Sequence, residues 1–166
     1  KIEQINKNIK FIICGDGEFA KLLKDQSKLL SNLVLTGYVD RNKIKAIANR
    51  SLVGIAPYNN IKNFKDNIKN KIIDYLSLGL PIISPLEGEV NHLITNHKVG
   101  LIYKEKSQVS LCNIIIKLSK SNDLIEKFSN NALKLYNENY SYDYVYGKAV
   151  NLIEEIYLTN KKISNQ

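Results

Sequence analysis

Short apolar runs alternate along the chain with stretches whose apolar side chains recur every three or four residues. An unbroken run of four to six apolar residues is the pattern of a strand covered on both faces. Three-and-four spacing marks one side of a helix. This predicts strands at "FIIC" (11–14), "LVLTG" (33–37) and "LVGIAP" (52–57), with helices "EFAKLLKDQSKLL" (18–30) and "NKIKAIANR" (42–50) between them. The next stretch, "YNNIKNFKDNIKN" (58–70), has no clear period. The alternation then resumes with a helix at "KIIDYLSLG" (71–79) ended by Gly79, a strand at "PIIS" (81–84), a helix at "EVNHLITN" (89–96) and a strand at "GLIY" (100–103). From Ser107 onward the spacing is helical, in three segments.

Such an order implies a parallel sheet with crossover helices on both faces. The expected fold is a doubly wound, Rossmann-like α/β domain with C-terminal helices, filling residues 1–166. Ligands of these sheets bind at the carboxyl ends of the strands, which here are the loops after Cys14, Gly37, Pro57 and Ser84.

Composition narrows the partners. The formal net charge is +8 and is nearly all lysine, since Arg41 and Arg50 are the only arginines. Readers of nucleic acid cluster arginine for bidentate contacts, so no nucleic-acid partner is expected. A lysine-rich surface is compatible with an anionic phosphate ligand or with peripheral contact at a membrane face. No apolar run is long enough to span a bilayer and the opening "KIEQINKNIK" lacks the pattern of a secretory leader, so a cytoplasmic location is expected. Cys14 and Cys112 are expected to be small buried hydrophobes, without metal spacing or a disulfide framework. His92 and His97 are expected at the surface, and no metal site is expected.

Three motifs carry candidate chemistry. In "GDGEFA", Gly15, Gly17 and Ala20 make a tight strand-to-helix turn, and Asp40 follows where a dinucleotide site places its ribose ligand. Asp16 and Glu18 crowd that turn with negative charge, which suits a helix N-terminus and disfavours a diphosphate. In "NIKNKIIDYLSLGLPIIS" (67–84), Asn70 is expected to cap a helix starting at Lys71. Free backbone N–H groups, the helix dipole and the Lys71 ammonium would then face one anion. Asp74 lies one turn further on the same side, placed to accept from two adjacent hydroxyls. In "PLEGEVNHLI" (85–94), Gly88 supplies a turn and Glu89 opens a helix at the mouth of the sheet.

Taken in this order, "FIICGDGE", "NLVLTGYVDRNKIKAIANRSLVGIAPY", "NKIIDYLSLGLPIIS", "GEVNHLI" and "GLIY" resemble the C-terminal, donor-binding domain of group 1 (family 4) glycosyltransferases of the GT-B fold. The likeness extends to the closing helices and is greatest for transferases of bacterial surface-polysaccharide assembly. It implies retaining transfer from a nucleotide-diphosphate sugar to a glycan or lipid-linked acceptor, without a cofactor or divalent metal. Asp66-x7-Asp74 stands where the family carries Glu-x7-Glu, which assigns the ribose hydroxyls to Asp74 and the donor sugar to Asp66. The backbone from Ile68 to Lys71 would lie along the diphosphate, and Tyr38 and Val39, after Gly37, would cradle the base. Gly15, Gly17 and Glu89 would line the same cleft.

The resemblance also implies a missing first strand, a missing phosphate clamp and a missing N-terminal acceptor domain. The chain would then be the donor half alone, without turnover, and an unfilled strand position would favour dimerisation by strand exchange. Two other functions stay open on sequence grounds. One is an NAD(P)-binding oxidoreductase domain built on Gly15, Gly17, Ala20 and Asp40; the other is a non-catalytic nucleotide-sugar or partner-binding module.

Overall fold

The computed structural model describes residues 2–164. After a short helix α1 (Ile2–Ile5), the chain runs β1 (Phe11–Cys14), α2 (Ala20–Ser27), β2 (Leu33–Gly37), α3 (Arg41–Ala48), β3 (Gly54–Ile55), α4 (Lys62–Lys65) and α5 (Asn70–Ser77). It continues through β4 (Ile82–Ser84), α6 (Glu89–Asn96) and β5 (Gly100–Ile102) into three closing helices, α7 (Gln108–Ser119), α8 (Asn122–Asn139) and α9 (Tyr142–Ser164). Every strand pairing is parallel, as crossover helices require.

The strands do not form one continuous sheet. Among the described residues, β1 pairs only with β2, while β3, β4 and β5 form a separate ladder in that order. The physical basis is visible in the burial. On β4, Ile82 and Ile83 point to opposite faces and both are fully buried. Ile82 belongs to a buried cluster with Ile72 and Leu76 of α5, Val90 and Ile94 of α6 and Ala132 of α8. Ile83 belongs to a second cluster with Ile115 and Leu118 of α7 and Phe128 of α8. Helix α8 thus closes both layers. On β1, by contrast, Ile12 is 44% and Ile13 is 40% exposed. Cys14 is exposed and Cys112 half-buried, so the expectation of two buried thiols fails. The faces of β1 lack the helical cover that an apolar strand suggests.

Local signals place the elements around β4. Gly79 (φ 63°) follows α5 in the left-handed conformation that a Schellman ending uses. Its N–H bonds Leu76 O at 3.0 Å and that of Leu80 bonds Tyr75 O at 2.9 Å. The chain then drops straight into β4. Ser84, fully buried at the end of this strand, donates to Ala56 O and accepts from Leu86 N, so no polar atom is stranded there.

Candidate functional site

The carboxyl ends of β3, β4 and β5 open onto the segment 57–69, the loop 85–88 and the loop 103–107. Helix α5 begins one residue earlier than its sequence suggests. Lys69, extended at φ −80° and ψ 149°, occupies the cap position, and Asn70 is the first helical residue. Ile72 N bonds Lys69 O at 2.8 Å, so Asn70 does not cap and its side chain makes no capping bond. The consequence favours an anion. Among the described residues, the backbone N–H groups of Asn70 and Lys71 have no protein acceptor, and both sit at the positive end of α5.

The side chains around this terminus divide into held and free ones. Lys69 Nζ donates to Asn63 O at 3.0 Å and lies 4.5 Å over the Phe64 ring. Lys71 is exposed and stands 5.4 Å over the Tyr58 ring, which orients the ammonium without neutralising it. Asp74 is exposed one turn further, and among the described residues its carboxylate has neither a hydrogen-bond nor an ion-pair partner. Asp66, which terminates α4, is likewise exposed and unpaired among them.

Tyr75 ties this helix to the sheet. Its ring covers Gly54, where an added Cβ would come within 2.6 Å of the ring, and its hydroxyl donates to Ile55 O at 3.1 Å. Burial pushes the Tyr75 hydroxyl up to about 12, with smaller contributions from Tyr58, Cys14 and Asp74. The ring and hydroxyl of Tyr75 thus fix α5 against β3 at the carboxyl end of the sheet.

A second set of contacts joins the loops to one another. Asn60 N donates to Glu105 Oε1 at 2.9 Å, Asn60 Nδ2 donates to Pro85 O at 3.0 Å, and Glu87 N donates to Asn60 Oδ1 at 2.8 Å. The bond from the Asn60 N–H holds the Glu105 carboxyl below its usual range. Lys65 pairs with Glu87, and Gly88 (φ 67°) lies so close to the Lys65 carbonyl that no Cβ fits between them. Glu89 opens α6 and raises the Tyr140 hydroxyl, after the larger effect of burial.

The glycine turn behaves differently. Gly15 N bonds Gly37 O at 2.8 Å, and Cβ atoms added at Gly15, Gly17 or Gly37 would meet nothing within 4 Å. Gly15 and Gly37 border an open cleft of about 420 Å³ that also touches Ile13, Asp16 and Leu23, and Gly17 does not line it. Helix α2 starts at Ala20, not directly after Gly17, and has no acidic residue in its first turn. Asp16 and Glu18 lie before that turn, Glu18 directly ahead of the cap residue Phe19. Asp40 accepts from Lys43 N at 2.9 Å as the N-cap of α3, a structural task that competes with ribose binding. Tyr38 is 82% exposed and Val39 is half-buried beside it. Both histidines are exposed as expected. Among the described residues, no group of three or more His, Cys, Asp or Glu is placed to hold a metal ion, and no helix is long and apolar enough to cross a membrane.

Two residues of the mouth escape sequence inspection. Asn60 lies in an aperiodic, Asn-rich stretch where no residue stands out. Tyr75 reads as one apolar position of an amphipathic helix, and only the adjacent Gly54 reveals why it is a tyrosine.

The parallel strands and their crossover helices define a Rossmann-like α/β domain. The chain belongs to the family described as "Glycosyl transferases group 1", whose model matches residues 1–121. Among solved structures it is similar to HepE from Anabaena, determined in complex with UDP, with a TM-score of 0.70 and 15% identity. That match covers 93% of this chain but 44% of HepE, so the chain spans less than half of its neighbour's length. No curated protein matches the chain.

Proposed function

We propose that this chain binds the donor of a glycosyltransferase, a sugar carried on a nucleoside diphosphate, and forms the donor half of that enzyme. The observation that carries this is the N-terminus of α5. There, two backbone N–H groups without protein acceptors, the Lys71 ammonium and the unpaired Asp74 carboxylate lie within little more than one helical turn. A diphosphate matches the amides and the ammonium, and a ribose diol matches Asp74. Tyr38 and Val39, with Gly37 and the glycine turn, are assigned to the base side of the cleft. Asp66 and Glu89 are assigned to the sugar side.

Transfer forms a bond from the anomeric carbon to the acceptor oxygen and breaks its bond to the diphosphate oxygen, so charge grows on the departing nucleoside diphosphate. Preorganised N–H groups and a lysine stabilise that charge without a divalent cation. The UDP bound to HepE supports a nucleotide of this class. In this reading transfer is retaining, the acceptor is a glycan or lipid-linked sugar outside this chain, and the lysine surplus allows contact with a membrane face.

Titration calorimetry with UDP, GDP and ADP tests the site. One of them should bind, with and without EDTA. Lys71→Ala and Asp74→Ala should each weaken binding about tenfold, the worth of one charge-assisted contact. If the chain takes up none of the three, the donor site is wrong.

A further inference from the structure

The segment between β3 and α5, residues 56–69, carries only one four-residue helix. Tyr58, Phe64 and Ile68 pack its underside on the core, and its polar side has to be held in register with the neighbouring loops, because the segment delivers both Asp66 and the start of α5 to the mouth. Left loose, it would have to be ordered at the expense of ligand affinity.

Two fastenings keep it in register with the neighbouring loops. At its near end, Asn60 makes three hydrogen bonds to other loops: its backbone N–H to Glu105, its side-chain amide N–H to Pro85 O, and its amide oxygen from Glu87 N–H. At its far end, Lys65 pairs with Glu87 while its carbonyl abuts Gly88. Pro85 to Gly88 is the loop that leads into Glu89, and Glu105 belongs to the loop after β5. One half-buried asparagine therefore joins the loops of three adjacent parallel strands on the side where ligands of such sheets bind.

We infer that Asn60 is a positioning residue, a clasp that holds the Asp66 and Glu89 loops in the arrangement that accepts the nucleotide-sugar donor. The inference rests on the donor reading above. Asn60 touches no ligand in this scheme; it acts through the loops it joins. A side chain with both a donor and an acceptor is needed, because Pro85 offers a carbonyl and Glu87 an N–H. Alanine offers neither, and aspartate retains only the acceptor.

The experiment combines amide hydrogen exchange with nucleotide titration on the 166-residue chain, using whichever of UDP, GDP and ADP binds most tightly. In Asn60→Ala, the Glu87 amide should exchange about tenfold faster and nucleotide affinity should fall about tenfold. Exchange in the α5–β4–α6 core should be unchanged. In Asn60→Asp, protection of the Glu87 amide should return while affinity stays about threefold below the parent, since the bond to Pro85 is still missing. Asn59→Ala, at the exposed neighbouring position, should match the parent in both readouts. Parent-like affinity in Asn60→Ala, or an affinity loss with Glu87 protection intact, overturns the clasp. If Asn60→Ala does not fold, parent-like affinity in Asn60→Asp overturns it instead. A parent chain that binds no nucleotide overturns the donor reading, and Glu87 exchange distinguishes that failure from failure of the fastening itself.

Discussion

β1 and β4 are short parallel strands of nearly the same chemistry, FIIC and IIS, and they live in different surroundings. β4 lies between two partners and under α5, α6, α7 and α8, with every side chain buried. β1 has one partner among the described residues, and its isoleucines remain about two-fifths exposed. An apolar run therefore reports a tendency to be covered, while the covering depends on which helices reach it. The same contrast separates the two motifs. The glycine turn after β1 borders open space, whereas the start of α5 is braced by Tyr75 on one side and by the Asn60 clasp on the other.

A large expected effect, comparable with that of emptying the core, comes from driving a methyl group into the tightest backbone contact of the buried ladder. Gly100 on β5 lies against the Ile82 carbonyl, with no room for a Cβ. Gly100→Ala should cost about 3 kcal/mol and lower the thermal midpoint by roughly 6–12 °C, or prevent folding. Gly17→Ala, in open space, should shift the midpoint by little.

Truncation tests the strands directly. Ile82→Ala should cost about 2–5 kcal/mol, and Ile12→Ala about 1 kcal/mol or less, by denaturant titration. Similar costs for the two would mean that β1 is covered in solution.

A smaller effect lies in pH. The folded state raises the Tyr75 pKa to about 12 from 10.0, so it holds this proton more tightly than the unfolded chain does. Its contribution to stability is complete below pH 10 and is lost as pH rises towards 12. Tyr75→Phe removes that portion of the alkaline loss, along with the hydrogen bond to Ile55 O, worth about 1 kcal/mol at neutral pH. An alkaline profile identical to the parent's would exclude Tyr75 as its source.

The mildest probe leaves the fold untouched. A thiol reagent should modify Cys14 at least several-fold faster than the half-buried Cys112, and equal rates would contradict the exposure of β1.

Much of this architecture was legible in periodicity. The helix at 89–96 falls where its spacing places it, and Gly79 announces the end of α5. The break between β2 and β3 was not legible, because an apolar strand reads the same with one neighbour as with two. β3 shrinks to two residues and the cap of α5 shifts from Asn70 to Lys69. Asparagine is a good cap only when its own carbonyl takes the first helical bond, and here that of Lys69 does. Of the site, Lys71 and Asp74 could be picked out because charge at a helix start has a physical meaning in sequence. Asn60 could not, since its role comes from Pro85, Glu87 and Glu105, which lie 25 to 45 residues away.

The tyrosine that braces α5 has one more consequence. The chain contains ten tyrosines and no tryptophan, so its near-ultraviolet absorbance is tyrosine absorbance alone. Tyr75 follows Asp74 in the chain, with its hydroxyl fixed on Ile55 O of the sheet. It is one of ten overlapping absorbers, so the part of an absorbance change on ligand binding that Tyr75→Phe removes reports on this helix without an attached dye.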